Sequence, residues 1–136
     1  MKQLVFLGSL LVALSASAAQ QPLFAKYEAA RQAMLKASLP RVQSSAKELA
    51  DAAIAAKQMA IASGADGLSR AANINQARAA FAVVSDEIIK FRNSQSGVRP
   101  AVAYCPMEKK SWLQPKGAIS NPYLDESMRS CGEFKE

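Results

Sequence analysis

Four sulfur side chains crowd the far end of this chain, Cys105-Pro106-Met107 opening a stretch that Met128-Arg129-Ser130-Cys131 closes. Both cysteines and two of the five methionines are there. Thiolates and thioethers are soft ligands, and such a set selects Cu(I), and by the same softness Ag(I), over zinc or magnesium. Cys105, Met107, Met128 and Cys131 are therefore candidate metal ligands, and Trp112 and Tyr123 are expected to shield them from water. The alternative is a Cys105–Cys131 disulfide. It would close a loop of about twenty-six residues and stabilise the fold by roughly 3–4 kcal/mol in the chain-entropy model. Residue types alone leave both open.

Other chemistry is hard to assemble. The chain has no histidine, which removes Ser-His-Asp and Cys-His nucleophile pairs, His-ligated zinc and most copper(II) sites. Cys-x-x-Cys, a phosphate-binding Walker loop and a dinucleotide-binding glycine pattern are also missing. The carboxylates are scattered without recognisable pairing, so no enzymatic activity is expected. The net charge of +6 is spread out, its longest run being Lys109-Lys110. Nucleic-acid binding would need those cations clustered on one face.

The N-terminal residues carry an address. Met1-Lys2 gives a positive start, Leu4 to Leu14 is apolar over signal-peptide length, and Ala16-Ser17-Ala18 is a small-x-small cleavage pattern. The apolar run is short for a bilayer span, so no stable membrane insertion is expected once it is removed. The reading is a cleaved leader over 1–19 and an exported, periplasmic mature chain. Without Lys2 the net charge falls from +6 to +5.

The elements that must position the sulfurs read as helical. Leu23, Tyr27, Ala30, Met34 and Ala37 share one face of a first helix, which Pro40 ends. Val42, Ala46, Leu49, Ala53, Ala56 and Ala60 mark a long second helix, with Gly64-Ala65-Asp66-Gly67 as its turn. Ile74, Ala77, Phe81, Val84, Ile88 and Phe91 form the seam of a third. Met34 and Met59 are expected as core filler. The spacing predicts an all-α fold: an up-down antiparallel three-helix bundle over 20–96, with an ordered, Pro/Gly-rich cap over 97–136 packed on it as one domain. Within the cap a short fourth helix is expected, capped by Asn121, begun by Pro122 and stopped by Gly132. That helix would point Met128 and Cys131 the same way.

The ordered string Cys105-Pro106-Met107, Trp112-Leu113-Gln114, Asn121-Pro122-Tyr123, Met128 and Cys131-Gly132-Glu133 resembles an uncharacterised exported helical domain. That family occurs alone and at the C-terminus of CusB-like periplasmic adaptors of copper/silver efflux pumps. The resemblance covers the mature chain and includes Tyr27, Arg78 and Phe81. It implies a metal-handling context, with an efflux adaptor or another copper-handling protein as partner. Family members often carry a His beside the Cys-Pro-Met, where this chain has Tyr104, which leaves sulfur ligands alone.

Exported material should begin at Ala19 or Gln20, because the small-residue cleavage pattern sits just beyond the apolar run. N-terminal sequencing that still reads Met1 on exported protein would overturn the leader assignment.

Overall fold

The computed structural model describes residues 15–135; residues 1–14, which hold most of the expected leader, lie outside them. Helices α1 (Ser15–Leu35), α2 (Leu39–Ala55), α3 (Met59–Ser69) and α4 (Ile74–Asn93) come first. Strands β1 (Ala101–Cys105) and β2 (Lys110–Gln114), a 3-10 turn (Glu126–Met128) and strand β3 (Glu133–Lys135) follow. Among the described residues, four helices with a three-stranded antiparallel sheet make a mixed α/β fold, which corrects the expected all-α three-helix bundle. Among the described residues no helix is long and apolar enough to cross a membrane.

Most of the expected seam residues are buried, though Ala37 lies beyond the end of α1 and is exposed, and Ala56, Ile74 and Phe91 are only partly buried. Leu23, Tyr27, Ala30 and Met34 of α1 are buried, as are Val42, Ala46, Leu49 and Ala53 of α2 and Ala77, Phe81, Val84 and Ile88 of α4. Their alanines contribute little area each, so the core depends on close approach of helix axes more than on bulk. Met34 is buried, whereas Met59 is exposed and is not core filler.

The expected second helix is two helices. Ala37 and Lys57 take left-handed backbone conformations, with φ of 48° and 58°. Each closes a helix in the same way: Ser38 N donates to Ala33 O and Gln58 N to Ala53 O, the six-to-one bond of a Schellman motif. Neither position is a glycine: Pro40, at the start of α2, marks the first break, but nothing in the sequence marks the second, and Ala60 falls on an exposed surface of α3.

Gly64-Ala65-Asp66-Gly67 is not a turn. It runs inside α3, where Ala65 and Leu68 are buried. A Cβ on Gly64 would stand 3.2 Å from Val84 Cγ2, so this glycine lets α3 and α4 approach. The real connection is Arg70–Asn73. Asn73 caps α4 by accepting from Gln76 N (2.9 Å), while Gln76 Oε1 accepts from Ala72 N (3.0 Å).

The cap is built from strands. Register pairs Ala101 with Gln114 and Cys105 with Lys110 across β1–β2, and Val102 with Lys135 and Tyr104 with Glu133 across β1–β3. The sheet order is therefore β2-β1-β3. Strand propensity depends on what a segment packs against, and two five-residue strands beginning Ala and Lys give a weak local signal. Residues 115–132 then fold back so that Gly132 lies over the Trp112 ring.

Gly132 has φ of 147°, and a Cβ there would meet Trp112 Cη2 at 2.8 Å and Tyr104 O at 3.1 Å. Gly132→Ala should cost about 2–4 kcal/mol, from backbone strain plus overpacking. Gly67→Ala, with nothing within 4 Å, should stabilise by about 0.5–1 kcal/mol. Chemical denaturation of the two variants checks this, and a neutral Gly132→Ala would refute the close packing.

Candidate metal centre and the cap that carries it

The thiols meet where β1 ends and β3 is about to begin. Register carries the β1–β3 ladder past Tyr104–Glu133, bringing Cys105 alongside the Cys131-Gly132 segment. The cysteine pair stands 4.0 Å apart, and both residues are free thiols. Cys105 is fully buried, and its sulfur accepts from Glu108 N at 3.3 Å. Cys131 is half-buried. Burial pushes its thiol up, and contact with Cys105 adds to this, so it is protonated at neutral pH.

The methionines sit on the two segments that carry the thiols. Met107 lies in the hairpin loop 106–109, which turns through Lys109 at φ of 53°. Met128 ends the 3-10 turn, and its carbonyl accepts from Cys131 N at 3.0 Å. Both side chains are solvent-exposed, at 53% and 42%, so neither thioether is spent on the core. Among the described residues no three His, Cys, Asp or Glu side chains converge. The donors on offer are sulfur.

The expected fourth helix shrinks to that single 3-10 turn. The reason lies with Asn121, whose side chain caps no helix. Its Oδ1 accepts from Tyr123 N (2.9 Å) and its Nδ2 donates to Cys131 O (2.8 Å). Its backbone N donates to Arg129 O (2.7 Å). Asn121 thus ties both ends of the 121–131 loop together and sets the position of Cys131. It is fully buried, and its role shows only in tertiary context.

Trp112 and Tyr123 are buried members of a larger framework. Trp112 Nε1 donates to Gln114 Oε1 (2.9 Å), which also accepts from Ser120 N (3.0 Å), while Gln114 Nε2 donates to Ala118 O (2.9 Å). Ring contacts run from Tyr27 to Phe81 (5.1 Å between centroids), from Phe81 to Tyr123 (5.9 Å) and from Tyr123 to Trp112 (6.0 Å). This chain of rings joins α1, α4 and the cap. Trp112 packs close under Gly132, the residue that follows Cys131.

Two tyrosine hydroxyls seal the outer edge of β2. Tyr27 OH accepts from Leu113 N (3.2 Å) and pairs with Ser85 Oγ (2.6 Å), and Tyr123 OH donates to Ser111 O (2.7 Å). Arg31 adds a further tie, donating to Ser120 O at 2.8 Å while held by Glu28. Sequence reasoning missed Arg31 and Ser85, because single polar residues beside apolar stripes read as surface, and it named Gln114 only within the resemblance, with no role. The one available signal was that Arg31 lies four residues after Tyr27, on the flank of the α1 seam.

Comparison of the chain with protein-family models, with curated proteins and with solved structures finds no match.

Burial raises the hydroxyl pKa of both Tyr27 and Tyr123 above the ordinary tyrosine range. Stability from these groups is complete below about pH 10 and is lost as pH rises, because the unfolded chain ionises first. Each tyrosine should add about 1.4 kcal/mol of lost stability per pH unit above that point. Tyr27→Phe should cost about 1–3 kcal/mol at pH 7 by orphaning the Leu113 N–H, and should remove one tyrosine's share of the alkaline slope. Urea denaturation of wild type and variant between pH 8 and 11 reads both effects, and identical slopes would refute the assignment.

Proposed function

We propose that this is a non-catalytic protein of the bacterial periplasm that binds Cu(I) or Ag(I), sequestering the ion or handing it to an efflux adaptor or another copper-handling protein. Cys105 and Cys131 are its principal ligands, and Met107 and Met128 supply thioethers. The observation that carries this reading is the free thiol pair at 4.0 Å, flanked in sequence by two solvent-exposed methionines. With a metal–sulfur distance of about 2.3 Å, that separation subtends about 120° at the metal. Such an angle leaves a coordination position for a thioether. A monovalent soft ion suits the set, whereas zinc draws on Cys, His or carboxylate and ignores thioethers.

Export is supported by a second observation. Pro22 lies inside α1, where an interior proline removes a hydrogen bond and crowds the preceding turn. Cleavage after Ala18 or Ala19 would leave Pro22 in the first turn of the mature helix, where it costs little.

The same 4.0 Å contact favours one other reading: an exported interaction domain whose cap is tied by a Cys105–Cys131 disulfide. A small shift would bring the sulfurs to bonding distance. Counting free thiols in periplasmic material separates the two.

Reduced protein should take up one Cu(I) or Ag(I) and bind Zn(II) much more weakly. Cys105→Ser and Cys131→Ser should lower Cu(I) affinity by about a hundredfold or more, and Met107→Leu and Met128→Leu by about tenfold, at nearly constant volume. Binding should also release protons, since thiols must ionise to ligate. Competition with a Cu(I) chelator, after helicity is verified by circular dichroism, gives the affinities. If the reduced protein takes up no metal, the disulfide reading stands instead.

A further inference from the structure

At the opposite end of β1 from the thiols, α1, the 97–101 segment and the end of β2 enclose a groove of about 780 Å³. The distance from Ala101 to Cys105 is four strand steps, about 14 Å, so the two sites are separate. Phe24 and Leu113 form part of its apolar lining, and Val98 is fully exposed at its rim. Phe24 is braced by a ring contact with Phe91, 5.7 Å between centroids. An apolar cleft of this volume is the size of a small-molecule site.

Its polar lining is cationic. Arg92, Arg99 and Lys116 all line the groove, and among the described residues none of them has a carboxylate partner. Arg92 Nε donates to Pro100 O (2.8 Å) and Nη1 to Asn93 Oδ1 (3.1 Å), while Arg99 Nη1 donates to Arg92 O (3.0 Å). Backbone carbonyls thus hold the two guanidiniums in place without neutralising them. The carboxylate lining the groove, Glu28, is already bound on both oxygens by Arg31. Burial, and then repulsion from Arg99, lower the affinity of Arg92 for its proton, a cost that an anion placed between them would relieve.

We propose that this groove binds a small amphipathic anion, with an apolar chain along Phe24, Val98 and Pro115 and a carboxylate or phosphate head at Arg92, Arg99 and Lys116. Apolar lining and uncompensated guanidiniums are the complement of such a molecule: the chain gains by leaving water, and arginine's planar fork meets oxyanions through paired hydrogen bonds. Nothing in this assignment depends on the thiol pair.

Isothermal titration of the protein with dodecanoate, dodecyl phosphate, dodecanol and dodecyltrimethylammonium, all below their aggregation limits, tests the proposal. One or both anions should bind saturably at one site, with the alcohol and the cation weaker by about tenfold or more; the tighter anion identifies the head group. The double variant Arg99→Gln/Lys116→Gln and the single variant Val98→Asp change only groove-lining positions. Each should weaken anion binding by about tenfold, with an unchanged circular dichroism spectrum at the binding temperature and unchanged Cu(I) competition. Amide chemical shifts should move at 97–101 and near Leu113. Failure of both anions to bind saturably, equal binding of the alkyl cation, or undiminished binding by both variants would overturn the proposal. Loss of Cu(I) binding with intact anion binding would sink the metal reading alone.

Discussion

An edge strand of a sheet carries a row of backbone groups that cannot be buried unless something pairs with them. Of the two edge strands here β3 is exposed, but β2 carries the buried Trp112 and Leu113. Two tyrosines resolve the conflict: Tyr27 OH takes the Leu113 N–H, and Tyr123 OH takes the Ser111 carbonyl. Everything in the cap depends on this. Tyr27 comes from α1 and is fixed by Ser85 of α4, so the helical core and the sheet share one hydrogen-bonded junction. Removing the hydroxyl would leave a buried donor unmet, which costs more than the bond is worth when made.

From that junction rigidity passes outward to the thiols. Phe81 stacks on Tyr27, Tyr123 packs on Phe81, and Trp112 meets the edge of Tyr123. Gly132 then lies close over Trp112, and Asn121 holds the carbonyl of Cys131. Cys105 is placed by the β1 ladder and Cys131 by a loop folded onto an aromatic floor. The two thiols therefore come together without a bond between them to enforce it. A soft ion would meet a pair already positioned, so less ordering would be needed on binding.

The sheet separates two chemistries by its own length. At one end of β1 are sulfurs and exposed thioethers; at the other is an apolar groove rimmed by arginines. The thiols lie on the cap, whereas the groove lies where the cap meets α1 and α4. The alanine-rich seams of the helical part pack closely and offer little reactive functionality.

By itself the sequence determined the buried faces of the helices. The three- and four-residue spacing of Leu23, Tyr27, Ala30 and Met34, and of Ala77, Phe81, Val84 and Ile88, states which side meets the core, because helical periodicity is local. It also put the sulfurs in one region and excluded histidine chemistry. Tertiary structure decided the rest. Left-handed stops at Ala37 and Lys57 carry no glycine to announce them, and Gly64 and Gly67, which look like a turn, serve inside a helix. The strands were invisible because Ala101–Cys105 and Lys110–Gln114 become strands by pairing with one another and sealing their edge on tyrosines distant in sequence. The β1–β2 hairpin itself falls within residues 101–114, but β3 and the Tyr27 hydroxyl that complete and seal it lie far away in sequence, and no short window of residues contains them. The meeting of Cys105 and Cys131 is legible in residue type, but their distance is set by register and by Asn121, which only the folded chain brings to bear.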